Sequence, residues 1–140
     1  MIGTIAAIGL LLGTSGCVFR PPMPTAEQLV GEWIDGDGAV LTLDADGTFT
    51  ATQMPEAVLR PFSYPPATLD GPLGDGAGSW QIGGIMEERN SWGTPLVWFS
   101  PDEDTGWFYF EVINRHGEVQ LRADVGDPES VPEYYELHRD

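Results

Sequence analysis

Apolar and polar positions alternate with a period of two over most of the second half of the chain and over part of the first. Ala39, Leu41 and Leu43 point one way with Val40 and Thr42 opposite, and Phe49 and Ala51 alternate with Thr48, Thr50 and Thr52. Alternation of this kind marks strands with one face in a core and one in water. The pattern resumes at Gly78–Ile82, Pro95–Phe99, Trp107–Ile113, Val119–Ala123 and Tyr134–Arg139, and Gly31-Glu32-Trp33 opens the series. Turn residues separate the segments: Asp44-Ala45-Asp46-Gly47, Pro101 to Gly106, and Asn114-Arg115-His116-Gly117. Asp, Asn and Gly at such points favour tight reversals, so sequential strands pair antiparallel. About eight strands and hardly any helix predict an all-β domain, a small closed or nearly closed antiparallel barrel, with a β-sandwich as the alternative.

Between Pro55 and Ala77 the alternation fails. Five prolines and the Gly74-Asp75-Gly76 segment occupy this stretch, which predicts a loop without regular sheet, apart from one helical turn over Glu56–Arg60. The glycines lack the spacing and the preceding strand of a dinucleotide-binding turn and read as loop punctuation. A connection of this length is expected to be a functional loop or a mobile one.

Ahead of the strands the pattern changes character. Ile5–Leu12 is an apolar run too short to span a bilayer, and Gly13-Thr14-Ser15-Gly16 leads directly into Cys17, the one cysteine of the chain. A short apolar core followed by small residues is the layout of a signal peptide and its cleavage site. Residues 18–28 include Arg20-Pro21-Pro22-Met23-Pro24, which predicts a semi-rigid tether. The expected division is a leader over 1–16, a tether over 17–28 and a barrel-like domain over 29–140.

Composition sharpens the picture of partners. Asp and Glu number 22 against six basic residues, all arginine, for a formal net charge of −16 over 140 residues. So negative a surface, without a basic stripe, repels phosphate backbones and excludes nucleic acid as an expected partner. It also lacks the clustered cations that dock on anionic headgroups. Most of the carboxylates read as a solvated face.

Candidate chemistry is sparse. Asp35-Gly36-Asp37-Gly38 and Asp44-Ala45-Asp46-Gly47 begin like calcium loops, but Ala39 and Thr48 stand where a further oxygen ligand belongs, so both read as turns. Asp102, Glu103 and Asp104 read as a solvated loop tip. His116 and His138 lack a cysteine partner for a zinc site. No nucleophile elbow, phosphate-binding loop or metalloprotease helix occurs, and no catalytic residue, metal or cofactor is expected. The aromatic residues are the better candidates. Trp107 and Tyr109 lie on one face of a strand whose other face offers Phe108, Phe110 and Val112, and Trp98 and Phe99 also diverge. With both faces apolar, one belongs to the core and the other lies under a lid or lines a pocket, so Trp98, Trp107 and Tyr109 are the candidate ligand-binding residues.

Two resemblances add to this reading. Ser15-Gly16-Cys17 after the apolar run resembles the bacterial lipoprotein box, which implies cleavage before Cys17, diacylglycerol on its thiol, and an address on the extracytoplasmic face of the cell membrane. Gly31-x-Trp33, Leu41 to Phe49 and the closing Tyr135-Glu136-Leu137-His138-Arg139 resemble small secreted lipoproteins of actinobacteria, and more loosely the lipocalins. In lipocalins a basic residue of the last strand packs across the Trp of the opening Gly-x-Trp, which implies that role for Arg139 against Trp33. The expected function is that of a membrane-anchored binding or interaction module for a protein or small molecule. A lipocalin-like carrier of a small apolar ligand is the alternative, and an envelope hydrolase ranks third.

Overall fold

The computed structural model describes residues 21–61, 68–83, 88–102, 106–125 and 133–140. Its eight strands are β1 (Gly31–Ile34), β2 (Val40–Leu43), β3 (Thr48–Pro55), β4 (Leu73–Ile82), β5 (Leu96–Pro101), β6 (Phe108–Arg115), β7 (Glu118–Val125) and β8 (Glu133–Arg139). They form one closed barrel in which each strand pairs antiparallel with the next, and β8 returns to β1 through Trp33↔Arg139 and Ile34↔His138. That closing pair makes a single continuous sheet, so the arrangement is the barrel and not the sandwich. Closure leaves no free edge for another chain to pair with.

Two helical turns, α1 (Ala26–Leu29) and α2 (Glu56–Leu59), mark opposite ends of the barrel. α1 falls partly within the stretch read as a tether. Thr25 caps it, accepting from Gln28 N–H while the Gln28 side chain accepts from Thr25 N–H, the reciprocal box that Thr-x-x-Gln encodes. Because consecutive strands run antiparallel, α1, the 44–47 turn, the 88–95 segment and the 116–117 turn share one end. α2, the 35–39 turn and the start of β6 share the other.

The stretch between Pro55 and Ala77 differs from expectation. The helical turn is there, with Arg60 N–H donating to Glu56 O at 2.8 Å, but sheet reaches into the segment from both sides. β3 continues to Pro55 and β4 begins at Leu73. The glycines at 74, 76 and 78 are therefore strand residues rather than loop punctuation. They occupy the inward face of β4, and at Gly78 a larger residue has no room: a Cβ there would lie 2.1 Å from the Ser100 carbonyl oxygen. The bare backbone there lets β5 approach closely, and above it the Leu59 side chain of α2 reaches within 3.7 Å of where a Gly76 Cβ would be. Alternation of apolar and polar side chains cannot register a strand whose inward residues have none. A bulge between Ala51 and Met54 bends β3 at the same level. Gln53 takes a positive φ of 53°, its N–H donates to Asp75 Oδ1 at 3.0 Å, and Met54 turns inward.

Aromatic side chains fill the barrel. Phe99 and Phe108 stack with ring centroids 4.7 Å apart, and Phe49 meets them edge-on at 5.1 and 5.7 Å. Phe110 adds a further edge contact to Phe99 at 5.8 Å. These four rings are all within 1% of complete burial. The α2 side chains Ala57, Val58 and Leu59 are buried over one end, and Leu29 of α1 is buried at the other.

Candidate functional site

The three aromatic candidates divide between two places. β5 turns Val97 and Phe99 inward, so Trp98 lies on the outer wall, beside its cross-strand partner Tyr109 with ring centroids 4.9 Å apart. Trp98 is nevertheless almost wholly buried, and Tyr109 is partly so. Trp107 stands just ahead of β6 at the α2 end and is 45% exposed. The α2 turn lies over the barrel mouth, against β3, β4 and β7, and not over the wall that carries Trp98. Residues 62–67 of the same connection lie outside the described residues, as does Cys17, the residue expected to carry lipid.

Among the cavities lined by described residues three stand out, and none of these three is lined by Trp98, Trp107 or Tyr109. One of about 210 Å³ opens at the α2 mouth between Leu59, Arg60, Asp75 and Phe108. The other two are at the α1 end. A groove of about 600 Å³ runs between the Pro21–Pro24 segment and Pro95, Ile113 and Val119, and a shallower one of about 490 Å³ lies beside Gln120, His138 and Arg139. The first of these has the size of a ligand pocket and largely apolar walls.

Trp33 and Arg139 meet at the α1 end. The guanidinium carbon stands 4.4 Å from the centre of the indole, whose Nε1–H donates to Leu29 O at 2.9 Å. Arg139 also donates through Nη1 to Val30 O at 2.6 Å and through Nη2 to Gln28 O. One side chain of the last strand therefore bonds to carbonyls at the end of α1 and just beyond it, and covers the first buried Trp. Gly31 is required here, because it has a φ of 130° and a Cβ on it would lie 2.5 Å from Arg139 Nη1. Trp80, the tryptophan of Gly78-Ser79-Trp80, is held likewise, with Nε1–H donating to Asp44 O at 3.0 Å.

The paired aspartates work as turns. Asp35 Oδ1 accepts from Asp37 N–H at 2.7 Å and Ala39 N–H at 3.1 Å, while Oδ2 accepts from the Tyr135 hydroxyl at 2.8 Å. Burial, and then the hydrogen bond to Asp35, push the Tyr135 phenol well above its ordinary range. Asp46 Oδ1 accepts from the Thr48 hydroxyl at 2.6 Å and its N–H at 3.0 Å, and these bonds, the hydroxyl first, hold the carboxyl below its usual value. Among the described residues no three His, Cys, Asp or Glu side chains converge as metal ligands. His116 occupies the Asn114–Gly117 turn with a φ of 54°, followed by Gly117 at 85°, the pair of left-handed residues that a tight hairpin takes. His138 is exposed on β8.

The feature that sequence reading passed over is Trp92. It is 88% exposed, the most exposed of the large apolar residues described. Its loop is nevertheless well held: Asn90 Oδ1 accepts from both Trp92 N–H and Thr94 N–H at 2.9 Å, and Asn90 Nδ2 donates to Glu111 Oε1 at 3.3 Å. Glu111 is fixed in turn by Arg122 at 2.7 Å. Asn90-Ser91-Trp92-Gly93 carried a legible turn signal, but nothing in the spacing marked the indole as displayed. Comparison with protein-family models, with curated proteins and with solved structures returned no match.

Proposed function

We propose that this chain is a lipid-anchored protein of the extracytoplasmic face of a bacterial membrane, whose barrel serves as a binding or interaction module and not as a catalyst. The observation that carries this reading is the order of signals in the sequence: an apolar run, four small residues, then the single Cys17, then a proline-rich link to a β domain. Two or three acyl chains hold a domain at a membrane stably, since each buried methylene contributes about 0.8 kcal/mol. The barrel itself supplies rigidity. Its interior is occupied by phenyl rings, so recognition falls to its ends and outer wall. Fractionation of the native host tests the anchor: wild-type protein is expected in the membrane fraction, and Cys17→Ala in the soluble one. Equal membrane retention of both would overturn it.

A second reading, a lipocalin-like carrier of a small apolar ligand, is favoured by the meeting of Trp33 with Arg139 and by the groove beside Ile113 and Val119. Titration with the dye 1-anilinonaphthalene-8-sulfonate distinguishes it. A carrier binds dye in one saturable site that Ile113→Arg abolishes, whereas no saturable binding by the folded protein excludes the carrier.

A further inference from the structure

We propose that the α1 end of the barrel rests on the membrane, with Trp92 seated in the lipid interface. This orientation rests on the anchoring reading above and deepens it. Arg89 joins the two parts: its Nη1 donates to Pro21 O at 2.7 Å and to Gly93 O at 2.8 Å, tying the start of the described chain to the residue after Trp92. Cys17 precedes Pro21 by four residues, a span of at most about 14 Å even when fully extended. A lipid on Cys17 therefore holds Pro21, and with it the Trp92 loop, close to the headgroups. An indole displayed on a fixed loop has the shape and polarity that the headgroup region accepts, apolar body inward and N–H toward water. Holding the loop rigid in advance lowers the ordering cost of inserting it.

Charge is distributed in the same sense. Of the five arginines among the described residues, Arg89, Arg115 and Arg139 lie toward the α1 end, against Glu27, Glu32, Asp44, Asp46, Glu88, Glu118 and Asp140. The α2 end carries Asp35, Asp37, Glu56, Asp70, Asp75, Asp102, Asp124 and Glu133 with only Arg60. The more negative end thus points away from a bilayer that itself carries negative charge.

Tryptophan emission quenched by brominated lipid tests the orientation. The protein is purified from host membranes, its intact mass is taken, and it is reconstituted into phosphatidylcholine vesicles with and without brominated acyl chains. Should the mass show no lipid, the anchoring reading fails, and the orientation in the cell fails with it. With lipid present, the expected result is partial quenching by the brominated vesicles that disappears in Trp92→Phe and persists in Trp107→Phe, since Trp107 is at the opposite end. Absence of quenching, equal quenching in Trp92→Phe, or quenching that follows Trp107 would overturn the orientation while leaving the anchor intact.

Discussion

At the scale of single residues, two side chains of β8 hold the first part of the chain in place. Arg139 stacks on Trp33 and bonds to the carbonyls of Gln28 and Val30. Arg139→Ala is expected to destabilise the domain by about 1–3 kcal/mol, measured by urea unfolding, and Arg139→Lys to recover only part of this because a lysine lacks the planar fork. Tyr135, which donates to Asp35, yields a pH prediction. Its phenol is raised in the folded state, so its contribution is complete below the ordinary value of 10.0 and is lost as pH rises above it. Urea melts between pH 9 and about 11 should show stability falling with pH, with a shallower fall in Tyr135→Phe. The phenylalanine variant should also be about 1 kcal/mol less stable at neutral pH. The two contacts differ in legibility. Trp33 with Arg139 was accessible through a family resemblance at the two ends of the domain. Tyr135 with Asp35 joins positions a hundred residues apart without a pattern to connect them, so only the closed sheet reveals it. Trp92 escaped because exposure is a property of the fold, and an isolated tryptophan in a turn looks the same whether it is covered or displayed.

Among the elements, the first half of β4, ahead of the stretch read as a strand at Gly78–Ile82, is what the sequence concealed. Strand reading depends on side chains that alternate, and Gly74, Gly76 and Gly78 remove them from the inward face. The alternation at Leu41–Leu43, Phe49–Ala51, Phe108–Val112 and Leu121–Ala123 was plain because those inward residues carry apolar side chains, mostly large or branched, that set them apart from their neighbours. The glycines make contrasting predictions. Gly78→Ala places a methyl group against backbone at 2.1 Å and is expected to cost about 3 kcal/mol or more, since backbone yields less readily than a side-chain tip. Gly76→Ala meets Leu59 and Phe49 at 3.7 and 3.9 Å and should change stability by less than about 1 kcal/mol. Thermal unfolding of the two variants side by side tests the assignment of this run as a packed strand; equal tolerance of both would contradict it.

On the scale of the whole molecule, rings fill the barrel interior, which leaves its ends and outer wall as the proposed recognition surfaces. Phe99 touches Phe49, Phe108 and Phe110 at once, so Phe99→Ala should cost about 3–5 kcal/mol, read from the denaturation midpoint. The fold class was legible because turn residues and alternation agree along most of the domain. The candidate site was less so: Trp98 and Tyr109 do lie together, but on an outer wall apart from the three cavities, and the groove at the α1 end is built from Pro21–Pro24, Pro95 and Val119, which no local motif unites. On the proposed reading, a lipid at Cys17 would fix both where the domain sits and which of its ends faces the bilayer. The most direct test is the intact mass of the protein extracted from its host's membranes. A chain that begins at Cys17 and carries the added mass of diacylglycerol is the result expected; an unmodified thiol, or a chain that retains Ile5–Leu12, would contradict it.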